Sequence, residues 1–410
     1  MTQSGQTSFQ KKIPSKLQIP GTKPSLYNNQ LLISTGIPSL DNVIGGGLAV
    51  GTVLLIEEDV FGGYGRLMLK YFCAEAVMTG QALFLSSLDN KPSQILNELP
   101  APILDDPGPD SEQLVTGATE RMKIAWRYQH LPQFQSSPMG TKFGHYYDLT
   151  KSMELGVISS INTILVGQSE LTETDSRYFL SLKNCIMILS GQSIDCGWEQ
   201  ANEHPMNPYY LQLLKRIQEK IDSDGFGTAV QQKKRNILRI AIHSLGSPMW
   251  GENGGLNQIG SYDPSLPRFL LALRVLMRSA FAVCVITMPT HLFCDKGFVV
   301  RVERLCDTVV HLESFAGSEK EKNILYKEYH GLFNIRQLPS LNSLTCHMPD
   351  TLDLAFKLRR KKITIEKLHL PPELSETASR PQEDPLSNLK FPPQTGSCGT
   401  SLGVKNKLDF

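Results

Sequence analysis

The stretch TGIPSLDNVIGGGLAVGTVLLIEEDVFGGYGRLMLKYFCAEAVMTGQALFLSS, residues 35–87, passes through a glycine-rich turn, an apolar strand, a second glycine-rich loop, an amphipathic helix and another apolar strand. That succession is the frame of a nucleotide-binding βαβ unit, in which the loop between strand and helix cradles phosphate. The spacing predicts strands over 53–56 and 82–87 and a helix over 67–78 closed by Gly80, with a right-handed crossover building a parallel sheet. Gly45, Gly46 and Gly47 supply a permissive turn before the first strand.

In this register the loop reads Glu58, Asp59, Val60, Phe61, Gly62, Gly63, Tyr64, Gly65. A working phosphate loop ends in Gly-Lys-Ser/Thr, where the lysine neutralises the β and γ phosphates and the hydroxyl ligates Mg²⁺. Tyr64 and Gly65 offer neither group. Glu57, Glu58 and Asp59 instead place three carboxylates where amides and a helix N-terminus would attract an anion. Arg66 falls on the first turn of the helix, where its arm is expected to reach solvent and not to replace the lysine. A second element fails alike: NILRIAIHSLG, residues 236–246, ends its apolar strand in His243, where ATPases of this type hold a Mg²⁺-positioning acid. Imidazole suits hard Mg²⁺ poorly, so a hydrogen-bonded strand-end histidine is expected.

The stretch TGIPSLDNVIGGGLAVGT resembles the entry to the core domain of RecA and KaiC-type ATPases. With the altered loop, MKIAWRYQ (122–129) and FGHYYDLTK (143–151), the chain is similar to the family of fourth subunits of the eukaryotic Elongator complex, from about Leu31 to Pro371. The resemblance implies an α/β, RecA-like P-loop NTPase fold with a mainly parallel central sheet flanked by helices and an antiparallel extension. It implies a non-catalytic subunit that joins two related RecA-like Elongator subunits in a heterohexameric ring. It further implies contact with the remaining Elongator subunits, tRNA binding, and support of wobble-uridine modification catalysed elsewhere in the complex. No cofactor is expected on this subunit alone, with ATP at sites formed with partner subunits.

Composition sets the outer bounds. The 410 residues carry a formal net charge of +1 and 40% hydrophobic content, so nothing drives the whole molecule toward nucleic acid and any RNA contact must be local. Eight cysteines without a C-x-x-C pair suggest neither zinc nor a disulfide framework and favour a reducing compartment, cytoplasmic or nuclear. No apolar run is long enough to span a membrane. Residues 1–30 read as a flexible basic arm, 31–371 as one RecA-like domain with insertions at about 90–153 and 176–236, and 372–410 as a disordered tail.

Two basic clusters are candidate RNA contacts: Lys233, Lys234 and Arg235 at the foot of a strand over 237–242, and Arg359, Arg360, Lys361 and Lys362, with Lys357, before an extended run. Solvated or edge-protecting charge is the alternative at both. Trp126, Arg127, Tyr128, Tyr146 and Tyr147 either stack on bases, pin a long loop to the surface or fill a partner subunit's pocket. Arg268, Arg274 and Arg278, on a helix predicted over 267–280, are candidates to stabilise charge at a neighbouring subunit's nucleotide. An amphipathic helix is expected over 207–221, and strands over 162–166, 282–288, 308–313, 323–329 and 331–337 with a tight reversal near His330-Gly331. Two other functions compete: an active ATPase with a non-standard loop, and a metal hydrolase using His243 with His291 or His311.

Overall fold

Every residue of strand Val53–Glu57 is buried, because both of its faces are covered. Val53 and Leu55 face one core and Leu54 and Ile56 the other, as the two-residue period of a strand requires. The computed structural model describes residues 19–25, 30–103, 143–172, 206–228, 235–251, 264–344, 349 and 351–369. The chain divides into two units, Met1–Leu368 and His369–Phe410, and the fold below is that of the first.

Strands β1 (Thr22–Pro24), β2 (Leu31–Ile33) and β3 (Leu48–Ala49) make a small antiparallel sheet, with α1 (Pro38–Val43) between the last two. The strand just described is β4. It leads through the glycine-rich loop into α2 (Gly63–Thr79) and β5 (Ala82–Ser87), and α3 (Pro92–Asn97) follows. Strands β6 (Pro100–Pro102) and β7 (Tyr147–Ser152) pair with each other, and after α4 (Leu155–Ile158) come β8 (Thr163–Val166) and α5 (Gln168–Leu171). Then follow α6 (Pro208–Ser223), β9 (Leu238–His243), α7 (Ser265–Arg278), β10 (Ala282–Met288), α8 (Lys296–Leu305), β11 (Thr308–Ser314), α9 (Glu319–Lys322), β12 (Gly331–Gln337), β13 (Leu354–Leu358) and β14 (Ile363–Lys367).

The main sheet has the order β14-β13-β12-β11-β4-β10-β9-β5-β8. From β11 to β8 all pairings are parallel, whereas β12, β13 and β14 are added antiparallel. This is the RecA-like α/β architecture with its antiparallel extension. Helices α6, α7 and α8 cover one face; α1, α2 and α3 supply the core of the other. Helix α2 ends at Gly80 in the left-handed region (φ 67°), as its position predicts.

Several expectations are corrected. Within the stretch read as a flexible arm, Thr22–Pro24 pair with Leu31–Ile33, so order begins before residue 31. The insertion at 90–153 contains α3, β6 and β7. Helix α2 starts at Gly63, ahead of the expected 67, because its first amides find a cap inside the loop. The strand expected over 323–329 is absent: after α9 a single turn of 3₁₀ helix at Ile324–Tyr326 stands there. Both sides of β11, the strand before this segment, are already taken by β4 and β12, so the segment cannot pair beside it. Ile324 is left 85% exposed while the Tyr326 ring packs on Phe315. The reversal near His330 is therefore long, spanning residues 315–330. Gly331 is required at its end, since a Cβ there would collide with the Glu313 carbonyl and the Phe356 ring.

The start of β4 is locked by Asp307, which is 2% exposed. One carboxylate oxygen accepts from the Val53 amide at 2.9 Å, and the other receives Arg274 at 3.0 Å and Arg278 at 2.6 Å. Asp307→Ala leaves a buried N–H and two guanidinium groups without their acceptor. Allowing for the partial exposure of both arginines, the loss is expected to be about 2–3 kcal/mol of stability, read as a lower denaturation midpoint.

Candidate functional site

The loop after β4 fills its own anion site. Glu58 still bonds the adjoining strand, its amide donating to the Met288 carbonyl at 2.9 Å, and the chain then turns with the Gly62 amide on the Asp59 carbonyl at 2.8 Å. Gly62 takes φ 64°, a conformation that favours glycine. The Asp59 side chain, 2% exposed, turns back over the start of α2, and its Oδ1 accepts from the Tyr64 amide at 2.9 Å and the Gly65 amide at 3.3 Å. These are the donors that a phosphate would need at a helix N-terminus.

The replaced positions are taken up by packing. The Tyr64 ring lies 4.5 Å from that of Phe356 on β13, directed into the antiparallel extension. A Cβ on Gly65 would come within 2.9 Å of Glu58 Cγ, so a serine or threonine at this position cannot fit unless Glu58 moves. Arg66 pairs with Glu98 at 2.8 Å, an acid it shares with Lys70 at 2.7 Å, and so is drawn toward the end of α3. It neither replaces the lysine nor projects freely into solvent as expected.

Glu58 lies beneath the loop. Both of its oxygens accept from Ser244 Oγ at 3.0 Å, and Ser244 itself has φ 51°. Burial pushes its carboxyl up to about 7 against the opposing hydrogen bonds of Thr287 and Ser244, and the charges of Asp89 and Asp59 add to the rise. At the end of β9, His243 Nδ1 is 3.1 Å from Ser87 Oγ. Burial, then the charges of Arg66 and Lys70, lower it to about 4, so the ring is neutral near pH 7. His311 pairs with Glu57 at 2.8 Å, and His291 lines the cleft that also holds Glu58. Among the described residues no group of three or more His, Cys, Asp or Glu is placed to hold a metal ion.

Above Glu58 opens a cleft of about 360 Å³, with Asp89 on its acidic side. Its rim carries Val60, Phe61, Met249 and Leu292, exposed by 69, 68, 46 and 46%. Sequence reading missed this rim, although the adjacent apolar pair Val60-Phe61 between acids and glycines was a usable signal. It also missed Arg239, fully buried in mid-strand. Its Nε donates to Gln81 Oε1 at 2.6 Å, its Nη1 to the Ser34 carbonyl at 2.8 Å, and its guanidinium lies over Phe72. Nearby Glu75 accepts from Tyr147 Oη at 2.6 Å and from the His145 amide at 3.1 Å. Burial alone would raise the Glu75 carboxyl, but His145, Arg239 and Tyr147 bring it below its ordinary value.

The other predicted residues scatter. Arg274 and Arg278 hold Asp307, and Arg278 also donates to the Gly51 carbonyl at 2.8 Å, at the end of β4 opposite to the loop. Both are thus engaged within the chain and remote from its own loop. Arg268, partly buried, sits near the other end of α7. Arg235 stacks its guanidinium 4.6 Å from the Phe281 centroid. Lys233, Lys234 and residues 122–129 lie outside the described residues. Arg359, Arg360, Lys361 and Lys362 form the turn between β13 and β14. Lys361 faces Asp148 at 3.6 Å, Arg359 faces Glu366 at 3.6 Å, and Lys362 lies over the Tyr146 ring at 4.8 Å. Tyr147 is buried on Glu75, so it pins the returning segment and is not open to a base.

The raised Glu58 carboxyl has a signed consequence. Between its unfolded value near 4.5 and about 7 the native state binds the extra proton, so this group makes stability fall as pH rises through that window. Glu58→Gln should therefore gain stability relative to the parent chain between pH 4.5 and pH 7. A difference in melting temperature that stays flat over that range would show that the carboxyl is not held protonated.

Comparison with known proteins agrees with this picture. The PAXNEB protein family matches residues 15–404. The chain is 44% identical to Elongator complex protein 4 of Homo sapiens over 428 residues, covering 100% of this chain and 95% of that protein. It is 45% identical to the Danio rerio protein of that name and 43% to that of Xenopus laevis, each covering 98% of this chain and 95% of the relative. A KaiC-like protein, PH0186 from Pyrococcus horikoshii OT3, superposes with a TM-score of 0.41 at 14% identity, covering 82% of this chain and 99% of that one. That likeness is too slight to carry weight, and the fold rests on the strand order itself. By its near full-length match to these relatives, the chain belongs to the PAXNEB family, the family of Elongator complex protein 4.

Proposed function

We propose that this chain is a non-catalytic RecA-like subunit of an Elongator complex, which forms a heterohexameric ring with two related RecA-like subunits. The ring binds tRNA and supports modification of the wobble uridine by other subunits, in the cytoplasm or nucleus. The observation that carries the reading is Asp59 Oδ1 on the Tyr64 and Gly65 amides: a negative charge already occupies the place of a phosphate. Loss of the lysine, the missing hydroxyl at position 65 and a neutral His243 point the same way. Nucleotide turnover in the ring belongs to sites formed with partner subunits. Arg274 and Arg278, both held by Asp307, support no contribution to such a site.

For tRNA the turn at residues 359–362 is the favoured contact, because it gathers four cations beside the Tyr146 ring. Its acidic neighbours Asp148 and Glu366 moderate that charge, so the expected contribution is positioning on phosphate and not base reading.

The isolated chain should show no ATP-dependent thermal shift and no turnover, and native mass measurement with its two related subunits should give a closed heterohexamer. Turnover by the isolated chain would overturn the non-catalytic reading. Reversing Arg359, Arg360 and Lys361 to glutamate should weaken tRNA binding by the assembled ring and flatten its salt dependence. An unchanged slope would reduce this turn to a solvated surface.

A further inference from the structure

The cleft above Glu58 has the wrong charge for a nucleotide and the wrong surface for solvent. Its lining contains Glu58 and Asp89 and neither lysine nor arginine, while four apolar side chains on its rim stand 46–69% exposed. Asp89 keeps only Ser247 as a described hydrogen-bond partner, at 2.5 Å, and that partner is neutral. Glu58 likewise meets hydroxyl groups, and the unbalanced negative charge of Asp89 adds to the upward shift of its carboxyl. Among the described lining residues, Asp89 and the carboxyl of Glu58 therefore meet no lysine or arginine, and His291 is the basic side chain there. A bare metal ion would leave the apolar rim uncovered, and among the described residues no metal-binding group is present. A protein side chain with a charged tip and an apolar stem satisfies both the acidic side and the rim.

We propose that this cleft is a docking socket for an arginine or lysine flanked by apolar residues on a neighbouring related subunit. The socket inverts the electrostatics of a phosphate site: the cation is supplied in trans, opposite Asp89 and Glu58. Phe61 and Val60 press on its stem from one side and Met249 and Leu292 from the other. This inference rests on the ring reading above and assigns one subunit contact within it.

The test measures assembly of the full chain with its two related RecA-like subunits, by native mass spectrometry across concentration and salt. Phe61→Asp and Asp89→Lys should each weaken assembly at least about 30-fold, as loss of a central interface anchor does, while Asp89→Asn should reduce its salt dependence. Ile324→Asp, a substitution at an exposed apolar residue outside the cleft, should assemble as the parent does, and all variants should keep the parent's melting temperature as isolated chains. If the parent assembles and both cleft variants match it, the socket is refuted while the ring stands. If Phe61→Asp weakens assembly but neither Asp89 variant changes affinity or salt slope, the occupant is apolar and the cationic assignment fails. If the parent does not assemble, the ring reading fails and the socket with it. An ATP-dependent thermal shift of the isolated chain that is lost in Phe61→Asp would put a nucleotide in the cleft and overturn the proposal.

Discussion

One buried carboxylate sets the geometry of the loop on which everything else turns. Asp59 satisfies two orphan amides at the start of α2, so the helix begins at Gly63 and is capped without any ligand. With α2 started there, the missing Cβ of Gly65 leaves room for the stem of Glu58, which lies beneath the loop on Ser244, while the Tyr64 ring packs on Phe356. A phosphate loop is ordinarily a set of donors waiting for an anion. Here the donors and the anion belong to the same eight residues, which leaves the scaffold of a nucleotide site intact while removing its vacancy.

A second buried charge, Arg239, ties the periphery to the sheet. It rises from the middle of β9 to reach the Ser34 carbonyl after β2, and its field stabilises Glu75, which in turn grips His145 and Tyr147 at the return of the long insertion. Such a network adds little net stability compared with a packed apolar core, but it makes the approach of these segments specific, because any misplacement strands a charge out of water. Among the described residues the Nη2 atom of Arg239 finds no hydrogen-bond partner.

The frame was legible because strand and helix periods are local. The βαβ unit, α6 with its Asn207 cap, α7 and the paired strands of the far sheet all follow from spacing of apolar residues and from glycine or proline punctuation. Residues 323–329 were misread because Ile, Leu and Tyr in a row suggest a strand, while pairing depends on a free edge that only the tertiary structure reveals. The site was half legible. Missing lysine and hydroxyl groups can be seen in a string of letters, but the turn that folds Asp59 back onto Tyr64 cannot. Arg274 and Arg278 likewise carried a plausible role until Asp307, nearly thirty residues on in sequence from Arg278, claimed both.

The turn of β13 and β14 is held at its backbone as well as by its side chains. The Arg359 amide donates to the Lys362 carbonyl at 2.9 Å, Leu149 donates to the Lys361 carbonyl at 2.7 Å, and just beyond the turn the Ile365 amide finds Ser39 Oγ at 2.9 Å. Its four cations are thus mounted on a main chain whose freedom was given up during folding. A polyanion arriving there would need to quench only rotamers, so the entropic penalty of capture would be far smaller than for the same residues strung along a loose tail.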